Sequence, residues 1–363
     1  MIYFFLIFLT VFGGYFTRRL KKPKKAYCYI LFIAFSLIIG LRHYSIGTDT
    51  YSYVFNFLRA KGLSETPLYM LLDYREFLFL LFRNIVREFT DSYTIYLLLI
   101  AFFYMGSVLC FIYKYSTIPS ISVLLFMSMG YFSFCMSGLR QTIAMGIFII
   151  AVMALQEKKY IKCAILLLIA TGFHISSIIY FAALIAYFLP LNKIYISVCT
   201  LLTALFAANG GRYIQIATDY LWGSDRNYSG NDSGSGTVLF LLISIAVFCL
   251  AFYKNMIDKK AKNRSQNGAL SNKVSDADRF FMKLLLISIP FQSLALINAN
   301  AFRIAIPFHF FHIALLPNVI NKVRNRNTRI IGKATIIILL IAFFYISTYP
   351  SNNLSPYYFY WQK

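Results

Sequence analysis

Residues 93–113 read YTIYLLLIAFFYMGSVLCFIY and contain no charged side chain. A helix of roughly 20 residues, rising 1.5 Å per residue, crosses a hydrocarbon core of about 30 Å. The run therefore predicts a membrane-spanning helix, and similar apolar runs recur along the whole chain. The expected spans are 1–16, 27–41, 93–113, 119–138, 140–155, 160–173, 175–190, 194–209, 237–253, 280–298, 304–320 and 332–348. We predict an all-α polytopic membrane protein with about twelve transmembrane helices.

The composition excludes a soluble globule. The 363 residues are 59% hydrophobic and only 13% charged, which leaves too little polar surface to cover a chain of this size in water. The net charge of +22 could indicate a nucleic-acid partner. Its basic clusters lie between apolar runs, however, where they set membrane topology and meet anionic lipid headgroups. We expect a lipid bilayer and no nucleic acid around the protein.

The distribution of basic residues predicts the orientation. Lys and Arg concentrate in segments 17–26, 114–118, 156–159, 191–193, 254–279 and 321–331. The positive-inside rule places these segments in the cytoplasm and both chain termini outside. The first run, 1–16, precedes its basic cluster and lacks a small-residue cleavage site, so it predicts a span and not a signal peptide.

Acidic residues concentrate on the opposite, outer side. Nine of the thirteen lie there, namely Asp49, Glu65, Asp73, Glu76, Glu88, Asp91, Asp219, Asp225 and Asp232. Within outer segment 42–92, residues 76–88 predict an amphipathic helix that is interfacial or re-entrant. Residues 210–236 predict an external loop, and residues 254–279 predict a basic, disordered cytoplasmic loop. Residues 1–363 thus form a single integral membrane domain.

The segment after the second span carries a recognisable pattern. Arg42 is followed by Gly47-Thr-Asp49 and then by Tyr51 and Tyr53; further along come the Glu76 segment, Gly138-Leu-Arg-Gln141, Phe173-His-Ile-Ser-Ser177 and Arg303. Taken together and in this order, these pieces resemble the EpsG/Wzy group of bacterial O-antigen and exopolysaccharide polymerases. The resemblance extends over nearly the whole chain.

The resemblance implies a GT-C-like helical bundle in the bacterial cytoplasmic membrane, with its active face periplasmic or extracellular. It implies joining of oligosaccharide repeat units carried on undecaprenyl diphosphate, which serve as donor and acceptor. The lipid diphosphate would be the leaving group, so no nucleotide sugar, cofactor or metal is expected. A flippase and a chain-length regulator are the protein partners that such a pathway suggests.

Arginines at one depth of the membrane suit a diphosphate, because guanidinium groups bind phosphate bidentately and are costly to hold near lipid. Arg42, Arg140 and Arg303 border predicted span ends and are the leading diphosphate ligands, with snorkelling to headgroups as the alternative. Arg212, in the predicted external loop, is a weaker candidate. His43 adjoins Arg42 and could help to hold a phosphate or simply lie at the interface.

Glycosyl transfer also needs a group that accepts the proton of the attacking hydroxyl. His174 is the first choice, because it lies at a predicted outer turn and imidazole titrates near neutral pH. The alternative is a histidine that bonds a helix end. Asp49 and Glu76 are rival candidates for the base or for binding sugar hydroxyls.

Two other patterns carry less weight. His309 and His312 lie three residues apart, which could suit a metal, but no carboxylate or cysteine accompanies them, so helix packing or a polar cavity wall is favoured. Asp276-Ala-Asp278 imitates the Asp-x-Asp pattern of nucleotide-sugar enzymes. A short loop cannot supply the nucleotide-binding fold that such a pattern needs.

Two other functions remain open. A lipid-linked oligosaccharide flippase or transporter would place charges deep in several spans and show internal repeats. An acyltransferase modifying the same glycans would need an early catalytic histidine reached from the cytoplasm. A minority of outer aromatic residues (Tyr44, Tyr51, Tyr53, Tyr228 and 357–361) could stack on sugar rings under the polymerase hypothesis.

Overall fold

The computed structural model describes residues 1–222, 235–264, 276–298, 301–350 and 353–362. Within these ranges the regular secondary structure is helical, apart from an antiparallel bridge between Arg42 and Phe359. It divides into two compact units. The first comprises residues 1–115, 119–180 and 335–363, and the second comprises residues 116–118 and 181–334.

The first unit begins with the N-terminal helices and ends at Tyr180 before the C-terminal segment rejoins it. Its helices are α1 (Ile2–Thr17), α2 (Pro23–Gly40), α3 (Thr50–Arg59), α4 (Leu68–Leu72), α5 (Phe77–Phe89), α6 (Tyr93–Tyr115), α7 (Pro119–Ser128), α8 (Tyr131–Ser137), α9 (Leu139–Gln156) and α10 (Tyr160–Phe173), followed by a 3₁₀ helix (Ile175–Tyr180). Helix α6 packs against α2 and α9, and α9 packs against α10. Helices α7 and α8 are almost entirely buried, so they form the centre of this unit.

The second unit contains α11 (Phe181–Phe188), α12 (Lys193–Trp222), α13 (Ser235–Arg264), α14 (Asp276–Ala295), α15 (Phe302–His309) and α16 (His312–Asn321). Helix α17 (Arg326–Phe343) begins in this unit and from Thr335 belongs to the first. Helix α14 packs against α12, α13 and α15 and is the centre of the second unit.

Six of the described helices are long and apolar enough to cross a membrane: α2, α6, α9, residues 193–216 of α12, residues 238–256 of α13, and residues 326–348, which include α17. The number rises to eight if two bent pairs, α7 with α8 and α15 with α16, each form one span. Three further apolar helices, at residues 2–17, 160–173 and 175–188, are shorter. Each of the twelve expected spans corresponds to helical structure, but a count of twelve crossings is not established.

The bends explain much of this difference. Gly130 adopts a positive φ of 78°, and the axes of α7 and α8 differ by 53° there. The composition of an apolar run predicts a span, but it does not show where the helix bends or breaks. Large apolar side chains remain exposed along the outer helices, including Tyr29, Leu168, Ile338 and Ile346. This surface is that of a polytopic membrane protein.

Segment 42–92, which we expect on the outer side, contains the predicted amphipathic helix, here α5, and also α3 and α4, which were not anticipated. The predicted loop at residues 210–236 needs correction, because α12 continues to Trp222 past a kink at Asn209. Residues 223–234 of that loop lie outside the described residues. The predicted loop at 254–279 is likewise helical to Arg264 and again from Asp276, with the section between outside the described residues.

The Asp-x-Asp pattern and the histidine pair, the two weaker patterns in the sequence, both lie in the second unit. Asp278 is buried and accepts hydrogen bonds from Asn318 (2.7 Å) and Lys322 (3.0 Å). This arrangement favours a structural role over an Asp-x-Asp site. His309 and His312 flank the break between α15 and α16, with His312 Nδ1 2.6 Å from the carbonyl oxygen of His309. Among the described residues, no cluster of three or more His, Cys, Asp or Glu could hold a metal ion.

Candidate functional site

Glu76 is the centre of a charged cluster in the first unit. It lies at the N-cap of α5, and its side chain is 13% exposed. Its Oε1 lies 2.6 Å from Nδ1 of His174 and accepts a hydrogen bond from the backbone N–H of Ile175 at 3.2 Å. Its Oε2 forms an ion pair with the guanidinium of Arg140. One carboxylate therefore joins three segments that are distant in sequence.

Local sequence explains how α5 comes close to His174. Helix α10 ends at Phe173, and His174 has an extended backbone before the 3₁₀ helix begins. Gly172 lies against Leu78 of α5, where a Cβ on the glycine would overlap the leucine side chain. The missing side chain allows α5 to approach the end of α10. Glu76, two residues before Leu78, then reaches His174.

Arg140 lies in the first turn of α9, which begins at Leu139 after the N-cap Gly138. A cation is unfavourable at the positive end of a helix dipole. The negative charge of Glu76 offsets this cost. Arg140 also donates from Nε to the hydroxyl of Tyr53 at 3.3 Å, and its guanidinium lies 5.6 Å from the centre of the Tyr53 ring.

The surroundings of Glu76 keep it ionised. Burial alone would raise its pKa, but the hydrogen bond and charge of His174, the charge of Arg140 and the N–H of Ile175 outweigh burial and lower the pKa to about 2. A carboxylate with this pKa is a weak base. Glu76 is thus suited to orient its partners and not to accept a proton.

His174 is held in a defined orientation by this contact. Its Nδ1 faces the Glu76 carboxylate, so Nε2 is the ring nitrogen that Glu76 does not engage. A carboxylate that binds Nδ1–H fixes the tautomer in which Nε2 accepts a proton. Arg140 retains part of its donor set as well, because Glu76 uses Nη1 and Tyr53 uses Nε. Its side chain is 45% exposed, which suits binding of an external anion.

Arg42 occupies a different environment from the one expected. It is fully buried, and its guanidinium donates to the carbonyl oxygens of Ile39, Ile46 (3.3 Å) and Met136 (3.0 Å). It also donates to the Thr50 hydroxyl at 3.4 Å. With its donors committed to the protein, Arg42 suits a structural role better than the expected diphosphate contact.

The loop that follows Arg42 is fixed onto the chain just before Arg140. Gly47 has a φ of +91°, and a Cβ there would overlap the carbonyl oxygen of Met136. The backbone N–H of Thr48 donates to Ser137 Oγ at 3.1 Å. These contacts place the start of α3, which carries Tyr53, beside the start of α9, which carries Arg140.

The other candidates of this segment lie near it but outside the Glu76 cluster. His43 is buried, with Nδ1 2.9 Å from Ser45 Oγ, and its ring lies 4.0 Å from that of Tyr44. These contacts favour a role in shaping the loop. Asp49 is half-buried at the N-cap of α3 and makes no capping hydrogen bond from its side chain.

Arg303 and Arg212 belong to the second unit. Arg303 is exposed in the first turn of α15. Arg212 is exposed on α12, three residues after the kink at Asn209, and not in a loop. Their assignment as diphosphate ligands stays a prediction.

Sequence reasoning selected Glu76, Arg140 and His174 singly but treated Glu76 as a rival of His174. It did not anticipate that Tyr53 binds Arg140 or that the N–H of Ile175 binds Glu76. A charged residue next to an apolar run was the available signal for the first three. Arg140 lies 64 positions after Glu76, and His174 lies 98 positions after it. No pattern in the sequence indicates contacts between residues so far apart.

A comparison with known protein families shows to which family the chain belongs. Residues 25–360 match the sequence model of the EpsG family, so the match includes α2 to α17 and every residue of the charged cluster. Curated proteins and solved structures give no significant match. The chain belongs to the EpsG family, which is generally associated with glycosyltransferase-like polysaccharide polymerases.

Proposed function

We propose that this protein joins lipid-linked oligosaccharide repeat units at the outer face of the bacterial cytoplasmic membrane. The donor is a saccharide on undecaprenyl diphosphate, and the acceptor is a hydroxyl of the next unit. The observation that carries the proposal is the Glu76 cluster, in which one carboxylate orients both an imidazole and a partly exposed guanidinium. Membership of the EpsG family supports the class of reaction.

His174 and Arg140 have complementary roles in the proposed reaction. The acceptor oxygen bonds to the anomeric carbon of the donor, and the bond from that carbon to the diphosphate oxygen breaks. Nε2 of His174 takes the hydroxyl proton, and the lipid diphosphate leaves with the bonding electrons. Arg140 offers hydrogen bonds and positive charge to the departing diphosphate, while Glu76 holds both side chains in place.

No nucleotide sugar, metal or other cofactor is part of this proposal, because the departing diphosphate supplies the driving force. Arg303 of the second unit remains a separate proposal as a diphosphate ligand. The proposed orientation has the N-terminus outside and the Lys114–Glu157 ion pair at the cytoplasmic end of α6 and α9. A flippase and a chain-length regulator remain proposed partners.

Complementation in cells lacking this gene tests the function. His174→Ala, Arg140→Ala and Arg303→Ala are compared with Lys61→Ala, which removes an exposed outer charge outside the cluster. We expect His174→Ala and Arg140→Ala to lose the ladder of long glycans while single repeat units still reach the surface. Loss of export of single units would instead indicate a flippase. Normal ladders at normal protein levels in the His174 and Arg140 variants would refute the assignment.

The orientation has its own test. A topology reporter fused after Lys260 is expected to give a cytoplasmic signal. An external signal there would place the Glu76 cluster on the cytoplasmic side and contradict the proposed location of the reaction.

A further inference from the structure

Four aromatic side chains, three of them exposed and the fourth (Tyr93) half-buried, form a continuous surface around the loop that contains Gly47. Tyr44 contacts Tyr51 (5.8 Å between ring centres) and Tyr93 (5.9 Å), and Tyr51 stacks on Phe55 at 6.0 Å with 20° between the rings. Tyr51 is 58% exposed. We call these four residues the outer aromatic cluster.

The C-terminal segment lies along the same loop. Beside the Arg42–Phe359 bridge, the N–H of His43 donates to the carbonyl of Tyr358 and the N–H of Tyr360 donates to the carbonyl of Leu41, both at 2.9 Å. This antiparallel pairing places Tyr358 beside His43 and Tyr360 beside Leu41, so the segment is attached to the chain just before the cluster begins at Tyr44.

The C-terminal segment adds two exposed rings. Trp361 is 58% exposed and stacks on Phe359, with 4.5 Å between centres and 5° between planes. Tyr360 is 42% exposed and packs edge-on against Trp361. The Arg42–Phe359 bridge joins the segment that carries both rings to the chain two residues before Tyr44.

Helix α3 connects this surface to the Glu76 cluster. Tyr51 and Tyr53 are two residues apart on the helix and so point in different directions. Tyr51 contacts the outer aromatic cluster, whereas Tyr53 accepts the hydrogen bond from Arg140. Tyr51 and Tyr53 differ by only about 3 Å along the axis of this helix, so the two contacts lie on opposite sides of one helical turn.

We propose that the outer aromatic cluster, with Tyr360 and Trp361, binds the sugar rings of a saccharide chain. The ring faces pack against the apolar C–H face of a pyranose, and hydroxyl groups of the tyrosines bond to the sugar hydroxyls. The inference rests on the proposed function for the attachment of that saccharide to a lipid. Its location beside Tyr53 makes it a subsite for sugars that extend away from the reacting bond.

The competing occupant is lipid, since aromatic residues also gather at membrane interfaces. Two features favour saccharide. The rings of the cluster pack against one another. The backbone that carries them is held by the Arg42–Phe359 bridge and by the close approach of Gly47 to Met136. In addition, the polar residues Ser45, Thr48 and Asp49 lie within the same segment, where they can bond to hydroxyl groups.

Tryptophan fluorescence tests the inference directly. The chain has two tryptophans, so Trp222→Phe leaves Trp361 as the only reporter. The probe is the mixture of oligosaccharides released by partial acid hydrolysis of the surface polysaccharide of the producing cells. We expect a saturable change in Trp361 emission from protein in nanodiscs. In the same background, Tyr51→Ala and Tyr360→Ala should each weaken the apparent affinity at least fivefold.

The matched control is Tyr29→Ala, which removes a tyrosine that is 63% exposed on α2, away from the outer aromatic cluster. It should leave the titration unchanged. Equal effects of Tyr29→Ala and Tyr51→Ala, or no response of Trp361 to the oligosaccharides, would overturn the inference. Strong quenching of Trp361 by lipids brominated near their headgroups, with no effect of saccharide, would assign the surface to lipid.

The outcomes separate this inference from the proposed function. If His174→Ala abolishes long glycans but Trp361 does not respond to saccharide, the polymerase proposal stands and the subsite fails. If Trp361 responds while His174→Ala and Arg140→Ala make normal ladders, the subsite stands and the catalytic assignment fails.

Discussion

Nδ1 of His174 lies 2.6 Å from Oε1 of Glu76, so the carboxylate at the start of α5 fixes the imidazole at the end of α10. The same carboxylate binds Arg140, which makes the orientation of the proposed base and that of the proposed diphosphate ligand depend on one residue.

Glu76→Gln should therefore impair catalysis more than substrate binding. The amide is uncharged, so it cannot stabilise an imidazolium or hold Arg140 by charge. We expect a decrease in kcat of about 10²- to 10⁴-fold, in the range found when a carboxylate that orients a histidine is neutralised. Initial rates of chain extension by purified protein in nanodiscs measure this. An unchanged kcat with a raised KM would mean that Glu76 binds sugar and does not orient His174.

The ionisation of Glu76 also predicts a pH dependence of stability. Its folded-state pKa of about 2 is below the value of about 4.3 for an unfolded glutamate, so it stabilises the fold above pH 4.3. The difference between these two pKa values corresponds to at most about 3 kcal/mol of folding free energy. This contribution is lost as the pH falls towards 2. Glu76→Gln should lower the unfolding temperature at pH 7, and the difference from wild type should shrink at pH 3. Glu65→Gln, at an exposed position, is the control and should show no such trend.

Arg140→Lys tests whether the forked shape of the guanidinium matters in addition to its charge. A lysine has one ammonium group and cannot keep Glu76 and Tyr53 while also binding diphosphate. We expect kcat/KM to fall by roughly 10- to 100-fold, which corresponds to the loss of one charge-assisted hydrogen bond. Lys61→Arg serves as the reverse exchange at an exposed residue outside the Glu76 cluster. If Arg140→Lys were fully active, only the positive charge of this residue, and not its forked shape, would contribute to the reaction.

The sequence predicts the helical class and the individual charged residues well, for a clear physical reason. Apolar runs and the charges at their ends have large free energies of transfer between water and lipid, so they can be recognised in a single sequence. Glu76, Arg140 and His174 each have such a position. Their assembly into one cluster depends on how α5 folds back onto α10, which rests on the packing of Gly172 against Leu78.

Arg42 shows the limit of the same reasoning. An arginine next to a span is costly whether it binds a ligand or the backbone, so sequence does not distinguish the two roles. The structure shows three backbone carbonyls and a hydroxyl around it. No local sequence pattern indicates the bridge between Arg42 and Phe359, which lie 317 residues apart.

Arg42→Met should consequently affect folding and not substrate affinity. The substitution retains volume but removes the donors to the buried carbonyls of Ile39 and Ile46, whereas the carbonyl of Met136 keeps its hydrogen bond from the Thr50 hydroxyl. Each unsatisfied buried carbonyl costs about 1–3 kcal/mol, and part of this is regained by removing the buried charge. We expect a lower yield of folded protein and a lower unfolding temperature, with an unchanged KM in what remains. A stable variant with a raised KM for the lipid-linked donor would restore Arg42 as a diphosphate ligand.

Gly47→Ala should separate the positioning of α3 from the chemistry of the Glu76 cluster. The residue has a φ of +91°, and an added Cβ would overlap the backbone oxygen of Met136, which has no flexible end that could move aside. The loop should shift, carry Tyr53 away from Arg140 and lower activity. Gly14→Ala is the matched control, because nothing lies within 4 Å of a Cβ at that position. Chain-extension rates and unfolding temperatures of both variants decide the matter: if Gly47→Ala were as active and as stable as Gly14→Ala, the contact with Met136 would not position α3.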